Sequence, residues 1–269
     1  MAELKDEFKL NVARSFGRAA QTYDRVAELQ RKIGRALMGR LPPLFPGAVV
    51  LDLGAGTGFF ARQLAAMSDG GQVIALDIAE PMLRQAMSGF SGNHLVADAE
   101  AIPLRSESVD LVFSNMCIQW CRSPERLFAE VRRILKPGGR VIFSTFGPRT
   151  LEELRRAWAA GDDYDHVIDF SSADEIERAL VSAGLIWSEK ASWLECCPYP
   201  DVLALMRELK ALGARNASGH RSRAMTGKGR LAAMIEAYPR AKNTPEEEGI
   251  VATFEVLGGQ LRCSGAGFD

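Results

Sequence analysis

A glycine-rich turn between a predicted strand and a predicted helix constrains the fold of this chain most. Residues 48–53 form an apolar run suited to a strand covered on both faces, and residues 59–67 have helical periodicity. Between them the chain reads Asp52-Leu53-Gly54-Ala55-Gly56-Thr57-Gly58. Such turns bind dinucleotides, phosphates and adenosyl cofactors at helix N-termini of α/β folds.

The same alternation continues along the chain. Further strands are predicted at 72–76, 94–97, 109–114 and 140–145, with helices at 80–87 and 124–135 between them. Two later strands, at 185–196 and 250–261, are predicted to extend the sheet as a hairpin with helices inserted between them. We therefore predict an α/β, doubly wound Rossmann-like sheet of seven strands, mostly parallel with an antiparallel final strand.

Four regions follow from this pattern. Residues 1–47, with apolar positions at helical spacing from Phe8 to Met38, are predicted to be a helical segment that closes over the cofactor. Residues 48–196 would be the cofactor-binding core. Residues 197–248 would be a helical cap that binds substrate, and residues 249–269 the final strand and tail.

Composition narrows the class of protein. The 269 residues are 47% hydrophobic and 25% charged, so a core can form without disulfides or metals. A net charge of −1 argues against binding of nucleic acid through the overall charge of the protein. The N-terminus alternates charge and no apolar run approaches a membrane span, which predicts a cytoplasmic protein. The five cysteines follow no metal-ligand spacing, so we predict no metal site.

The details of the turn favour an adenosyl cofactor over a dinucleotide. Asp52 would repel a pyrophosphate but suits a ligand that carries an ammonium and a sulfonium. Asp77 ends the second strand, where it would hydrogen-bond ribose hydroxyls or, alternatively, cap the next helix. Asp98 and Ala99 follow the third strand, near the adenine edge. Asn115 ends the fourth strand, beside the amino-acid end of the ligand. The predicted cofactor-binding residues are Gln30, Asp52, Gly54, Gly56, Gly58, Asp77, Ile78, Asp98, Ala99, Asn115 and Gln119.

These motifs, over about residues 48–145, resemble those of class I S-adenosylmethionine-dependent methyltransferases. The flanking segments Ser15-Phe16-Gly17-Arg18-Ala19-Ala20-Gln21-Thr22-Tyr23-Asp24 and Ile118-Gln119-Trp120-Cys121 are similar to those of one family, the malonyl-acyl carrier protein O-methyltransferases of biotin synthesis. The likeness runs from about residue 10 to 262. It implies S-adenosylmethionine as cofactor, S-adenosylhomocysteine as product, and malonyl-acyl carrier protein or malonyl-coenzyme A as substrate. The methyl ester would mask the malonyl charge during elongation towards pimeloyl.

A malonyl carboxylate is ionised at neutral pH, so methyl transfer to it needs no general base. It needs alignment, a dry pocket and a group that holds the carboxylate. The positioning candidates are Tyr23, His166, Arg207, Lys210 and Arg221. Gln119 and Trp120 would wall the transfer pocket and Gln30 would close over the cofactor. Two alternatives stay open: a methyltransferase for a small acid or quinone precursor, and a related assembly or hydroxylase protein without methyl transfer.

Overall fold

The computed structural model describes residues 6–89, 91–161, 164–214, 227–242 and 248–264. In the described part of the chain, the helices are α1 Glu7–Ala19, α2 Tyr23–Val26, α3 Glu28–Met38, α4 Phe59–Met67, α5 Glu80–Met87, α6 Pro124–Ile134, α7 Glu152–Ala159, α8 Ala173–Ser182, α9 Val202–Ala211 and α10 Lys228–Ala237. The strands are β1 Val49–Leu53, β2 Gln72–Asp77, β3 Asn93–Val96, β4 Val109–Asn115, β5 Leu135–Phe146, β6 Leu185–Tyr199, β7 Ala241–Lys242 and β8 Glu248–Cys263. A 3₁₀ turn covers Ile118–Trp120.

The strands form one sheet in the order β3-β2-β1-β4-β5-β8-β6, and the short β7 pairs with β8. Pairs among β1 to β5 are parallel, whereas β8 runs antiparallel to both β5 and β6. The seven-stranded, mostly parallel sheet with an antiparallel final strand is therefore confirmed. The strand order reverses between β1 and β4, which is where open α/β sheets bind ligands.

Strand β1 shows how the sheet is covered on both faces. Leu51 and Leu53 pack in the hydrophobic cluster that includes α6 and α8, whereas Val50 packs in the cluster that includes α4. Successive side chains alternate between faces, so a strand buried on both sides must be apolar throughout. Asp52 is the one charged residue of β1 and is only 2% exposed.

The amphipathic segment 8–38 folds as three helices. Helix α1 ends at Ala19, where the Thr22 hydroxyl donates to the Ala19 carbonyl and to the Ala211 carbonyl of α9. Ala27, with φ −84° and ψ 38°, leaves the helical region and separates α2 from α3. Helix α1 packs through Ala19 on Met82 of α5 and on Ala79, the residue before α5.

Helices α9 and α10 lie between β6 and β8 in the chain. Within the described ranges, no helix has the length and apolarity that crossing a membrane would need.

Candidate active site

A cleft of about 690 Å³ lies at the carboxyl ends of the central strands. Gly54 and Gly56 line it after β1, Asp77 and Ile78 after β2, Asp98 and Ala99 after β3, and Asn115 after β4. Lys9, Val12 and Phe16 of α1 also line it. Seven of the eleven predicted cofactor-binding residues therefore line this cleft.

The glycine turn has the backbone geometry of a ligand cradle. Gly54 has φ +78°, and a Cβ there would lie 2.5 Å from the Cβ and Sγ of Cys117. Gly56 has φ +55°, and a Cβ there would meet no atom within 4 Å, so it would project into open space. Gly58 has φ +76° and packs on Ala86 of α5, so its role is to seat the turn. A ligand can therefore approach the backbone closely at Gly56.

Asp77 joins the turn to the second strand. Its Oδ2 accepts from the Gly56 N–H over 2.9 Å, and its Oδ1 accepts from the Ala79 N–H over 2.8 Å. Ala79 is the residue before α5, so this second hydrogen bond is the helix cap that the sequence offered as the alternative to ribose binding. Each carboxylate oxygen keeps a further lone pair, so both are still able to accept from a ligand hydroxyl. Burial raises the pKa of Asp77, although the N–H donors oppose the shift.

Asp52 is one of the four predicted cofactor residues that are not among those lining the cleft. It shares the face of Val50, towards α4, and is not among the residues that line the cleft. Burial, and secondly the charge of Asp77, raise the pKa of Asp52 to about 8, opposed by a hydrogen bond from the Ala61 backbone. Its Oδ2 is buried with no hydrogen-bond partner in the described part of the chain. Side chains alternate between the two faces of a strand, so Asp52 lies on the same face of β1 as Val50, whereas Leu51 and Leu53 lie on the other face.

Lys9 is a site residue that sequence reasoning missed. Its ammonium contacts Asp98 at 2.6 Å and also pairs with Glu100, and the residue is 9% exposed. Burial alone would lower the pKa of Lys9, but the hydrogen bonds and charges of the two acids together raise it. A signal existed: Lys9 has the helical spacing of Val12, Phe16 and Ala19 on the apolar face of α1.

Asn115 connects the cleft to the elements around it. Its amide Nδ2 donates to the Gln30 carbonyl over 3.0 Å, and its Oδ1 accepts from the Ser144 hydroxyl over 3.0 Å. Gln119 accepts from the Thr145 hydroxyl over 3.1 Å and lines neither this cleft nor the one described next. Its hydrogen bond instead fixes the 3₁₀ turn, which presents Trp120.

A second cleft of about 630 Å³ adjoins the first, and Trp120 lines both. Most of the residues that line it are apolar, from α3, α7, α9 and β8. Its polar groups include Gln30, His166 and Glu208. The His166 ring stacks on Trp158 with centroids 3.7 Å apart and planes at 9°. The Tyr199 hydroxyl donates to the Glu208 carboxylate over 2.8 Å.

The positioning candidates separate into three groups. His166 lines the second cleft, and Tyr23 lines the first. Burial and the charge of Asp77 raise the pKa of Tyr23, which stays a neutral phenol. Arg207 and Lys210 lie on the exposed face of α9 and line neither cleft; the side chain of Arg207 is 74% exposed. Arg221 lies outside the described residues.

A comparison with known proteins first identifies the class of protein to which the chain belongs. Residues 51–143, which contain the glycine turn and most of the first five strands, match the methyltransferase domain family. The YcgJ protein of Bacillus subtilis has the same fold, with a TM-score of 0.61 at 17% identity over 87% of this chain and 98% of that chain. Fold and domain thus define a Rossmann-like methyltransferase.

The sequence comparison is more specific. The chain is 47% identical over 248 residues to a malonyl-[acyl-carrier protein] O-methyltransferase of Methylococcus capsulatus, covering 90% of each. It is 42% identical to the biotin biosynthesis bifunctional protein BioHC of Cellvibrio japonicus, of which it spans 49%. The chain belongs to the malonyl-[acyl-carrier protein] O-methyltransferase family.

Proposed function

We propose that this enzyme transfers a methyl group from S-adenosylmethionine to the free carboxyl of a malonyl thioester carried on acyl carrier protein. The observation that carries the proposal is Trp120, whose side chain lines both clefts. A donor in the first cleft and an acceptor in the second would meet beside this one residue. The family relationship supports the identity of both substrates.

The first cleft fits the donor. Gly56 leaves room for a ligand at the turn, while Asp77 and Asp98 offer carboxylate oxygens at the ends of β2 and β3. Asp77 would hold the ribose hydroxyls, Asp98 and Ala99 the adenine, and Asn115 with Gly54 the amino-acid end. Helix α1 would close over the ligand, with Lys9 holding Asp98 in place.

The chemistry makes modest demands on the protein. When bound, S-adenosylmethionine supplies a methyl carbon on a cationic sulfur: the carboxylate oxygen bonds to that carbon, the sulfur leaves as a neutral thioether, and no proton moves. The residues therefore act by alignment and by excluding water, and an apolar second cleft provides the dry surroundings.

The carrier protein would dock beside α9. One face of this helix directs Glu208, Leu209 and Leu212 into the second cleft, and the other exposes Arg207 and Lys210. Cations outside an acceptor cleft would steer an acidic carrier protein towards it. The two residues were expected to hold the malonyl carboxylate itself, but their exposure fits an outer contact. We place this activity in the cytoplasm and assign residues 197–248 as the cap.

Rescue of a biotin auxotroph that lacks its malonyl methyltransferase tests the proposal in cells. Growth without biotin is the expected result, and an Asp77→Ala variant expressed at equal level should restore growth poorly. A native chain that folds, binds S-adenosylmethionine and still gives no growth would favour a small-acid substrate and contradict the proposal.

A further inference from the structure

The side chain of Gln30 has an unusual environment in α3. Its Oε1 is buried and has no hydrogen-bond partner in the described part of the chain. The backbone carbonyl of the same residue accepts from Asn115 over 3.0 Å, which fixes the position of the residue beside the cofactor cleft. An amide oxygen buried without a hydrogen-bond partner is unfavourable, so a site that keeps one must offset this cost elsewhere.

The amide belongs to the second cleft. Gln30 lines that cleft together with Leu29, whereas it is not among the residues lining the first. This differs from the expectation that Gln30 closes over the cofactor. The neighbouring cations of α3 are directed elsewhere: Lys32 contacts Glu195 at 2.5 Å, and Arg31 lies over the Phe59 ring at 5.5 Å.

The charge of the second cleft limits what can hold a carboxylate. Of the described residues that line it, none is a lysine or an arginine, and its ionisable side chains are His166 and Glu208. Glu208 is an acceptor already engaged by Tyr199. The carboxamide of Gln30 offers two N–H donors. A half-turn about its last torsion exchanges the oxygen and the NH₂ group, so either one is able to face the cleft.

We propose, on the basis of the function proposed above, that Gln30 binds the acceptor and not the cofactor: its amide N–H donates to the carboxylate of the malonyl group in the second cleft. A neutral donor holds a carboxylate by a charge-assisted hydrogen bond without the full ion pair that would lower its reactivity. Because Asn115 holds the backbone of Gln30, the amide is positioned by a residue of the donor cleft. Gln30 thus couples the placement of acceptor to donor.

The test compares Gln30→Leu, Gln30→Glu and the native enzyme on malonyl-N-acetylcysteamine and malonyl-acyl carrier protein. Gln30→Leu should raise KM for both acceptors about tenfold or more, with the Kd for S-adenosylmethionine unchanged within twofold. Gln30→Glu should weaken binding of malonyl-N-acetylcysteamine further by charge repulsion, yet still bind its methyl ester, as measured by calorimetry with S-adenosylhomocysteine present. Gln63→Leu on α4, whose amide donates to the Phe59 carbonyl, is the matched control and should behave as native.

The two ways of failing are distinct. If the native enzyme methylates neither malonyl thioester, the proposed function is wrong. If the native enzyme is active but Gln30→Leu keeps its acceptor KM, or loses S-adenosylmethionine affinity instead, the inference about Gln30 is overturned while the function stands.

Discussion

The N–H of Gly56 donates to Oδ2 of Asp77 over 2.9 Å, so the turn after β1 and the acid that ends β2 form one unit. Asp77 also accepts from Ala79 before α5. One carboxylate therefore sets the positions of two backbone segments and faces the cleft where a ribose would bind. Loss of this carboxylate should affect both stability and ligand affinity.

Asp77→Ala should lower the affinity for S-adenosylmethionine at least tenfold, since hydrogen bonds to a charged group contribute about 1.5–3 kcal/mol each. It should also reduce the free energy of unfolding by about 1–3 kcal/mol, because two N–H donors lose their acceptor. Calorimetry and urea unfolding measure the two effects. Asp110→Ala is the control, since Asp110 accepts from the Val49 N–H away from the cleft. It should lose stability and keep affinity; equal affinities in both variants would remove Asp77 from the ribose site.

Gly56→Ala should separate backbone strain from ligand exclusion. The added Cβ would project into open space beside the cleft at φ +55°. A left-handed backbone costs an L-residue about 1–2 kcal/mol, so the protein should still fold but bind S-adenosylmethionine weakly. Gly70→Ala carries similar strain, at φ +64°, with no atom within 4 Å and no place in the cleft. If both variants bind the cofactor equally well, the turn is not a cradle.

The buried acid Asp52 should make the cofactor-free protein less stable as pH rises. Its pKa is raised to about 8, so the folded chain keeps a proton that the unfolded chain releases. Stability is then lost between the ordinary carboxyl pKa and about pH 8, and the raised pKa of Asp77 acts in the same direction. Melting temperatures measured by calorimetry from about pH 5 to 8 should fall, and less steeply in Asp52→Asn. Asp174→Asn, on the exposed start of α8, should show the same fall of melting temperature with pH as the native protein. If Asp52→Asn shows that same fall, Asp52 is not the group responsible for it.

Arg207→Glu and Lys210→Glu should raise KM for malonyl-acyl carrier protein severalfold and leave malonyl-N-acetylcysteamine unaffected, because both side chains lie outside the second cleft. The effect should shrink at high salt, as exposed charges are screened. Arg105→Glu changes an exposed cation between β3 and β4 that lines neither cleft, and it should match native. Equal losses with the short thioester would instead mean that these side chains reach the acceptor.

The sequence predicted the central sheet because its strands are apolar runs separated by helices of regular length, and α4 and α5 begin and end at the predicted residues. The break between α1 and α2 escaped prediction, since Thr22 stabilises it through a long-range hydrogen bond to Ala211. Asp52 was assigned to the cofactor from its charge and its place before the turn, and Gln30 was expected to close over the cofactor. Which cleft a side chain faces depends on helix packing and strand pleat, and those become visible only in the fold.

The most direct measurement follows malonyl-acyl carrier protein with S-adenosylmethionine by mass spectrometry, with and without mild alkali. Alkali also hydrolyses the thioester, so the released acid is analysed: a carboxyl ester loses its methyl group as methanol and gives malonate, whereas a methyl on the malonyl α-carbon gives methylmalonate. We predict one added methyl group that alkali removes, formed at a rate that changes little between about pH 6 and 8, because an ionised carboxylate needs no base. An alkali-stable methyl group, a rate that rises steeply with pH, or no methyl group on an enzyme that binds S-adenosylmethionine would contradict the account.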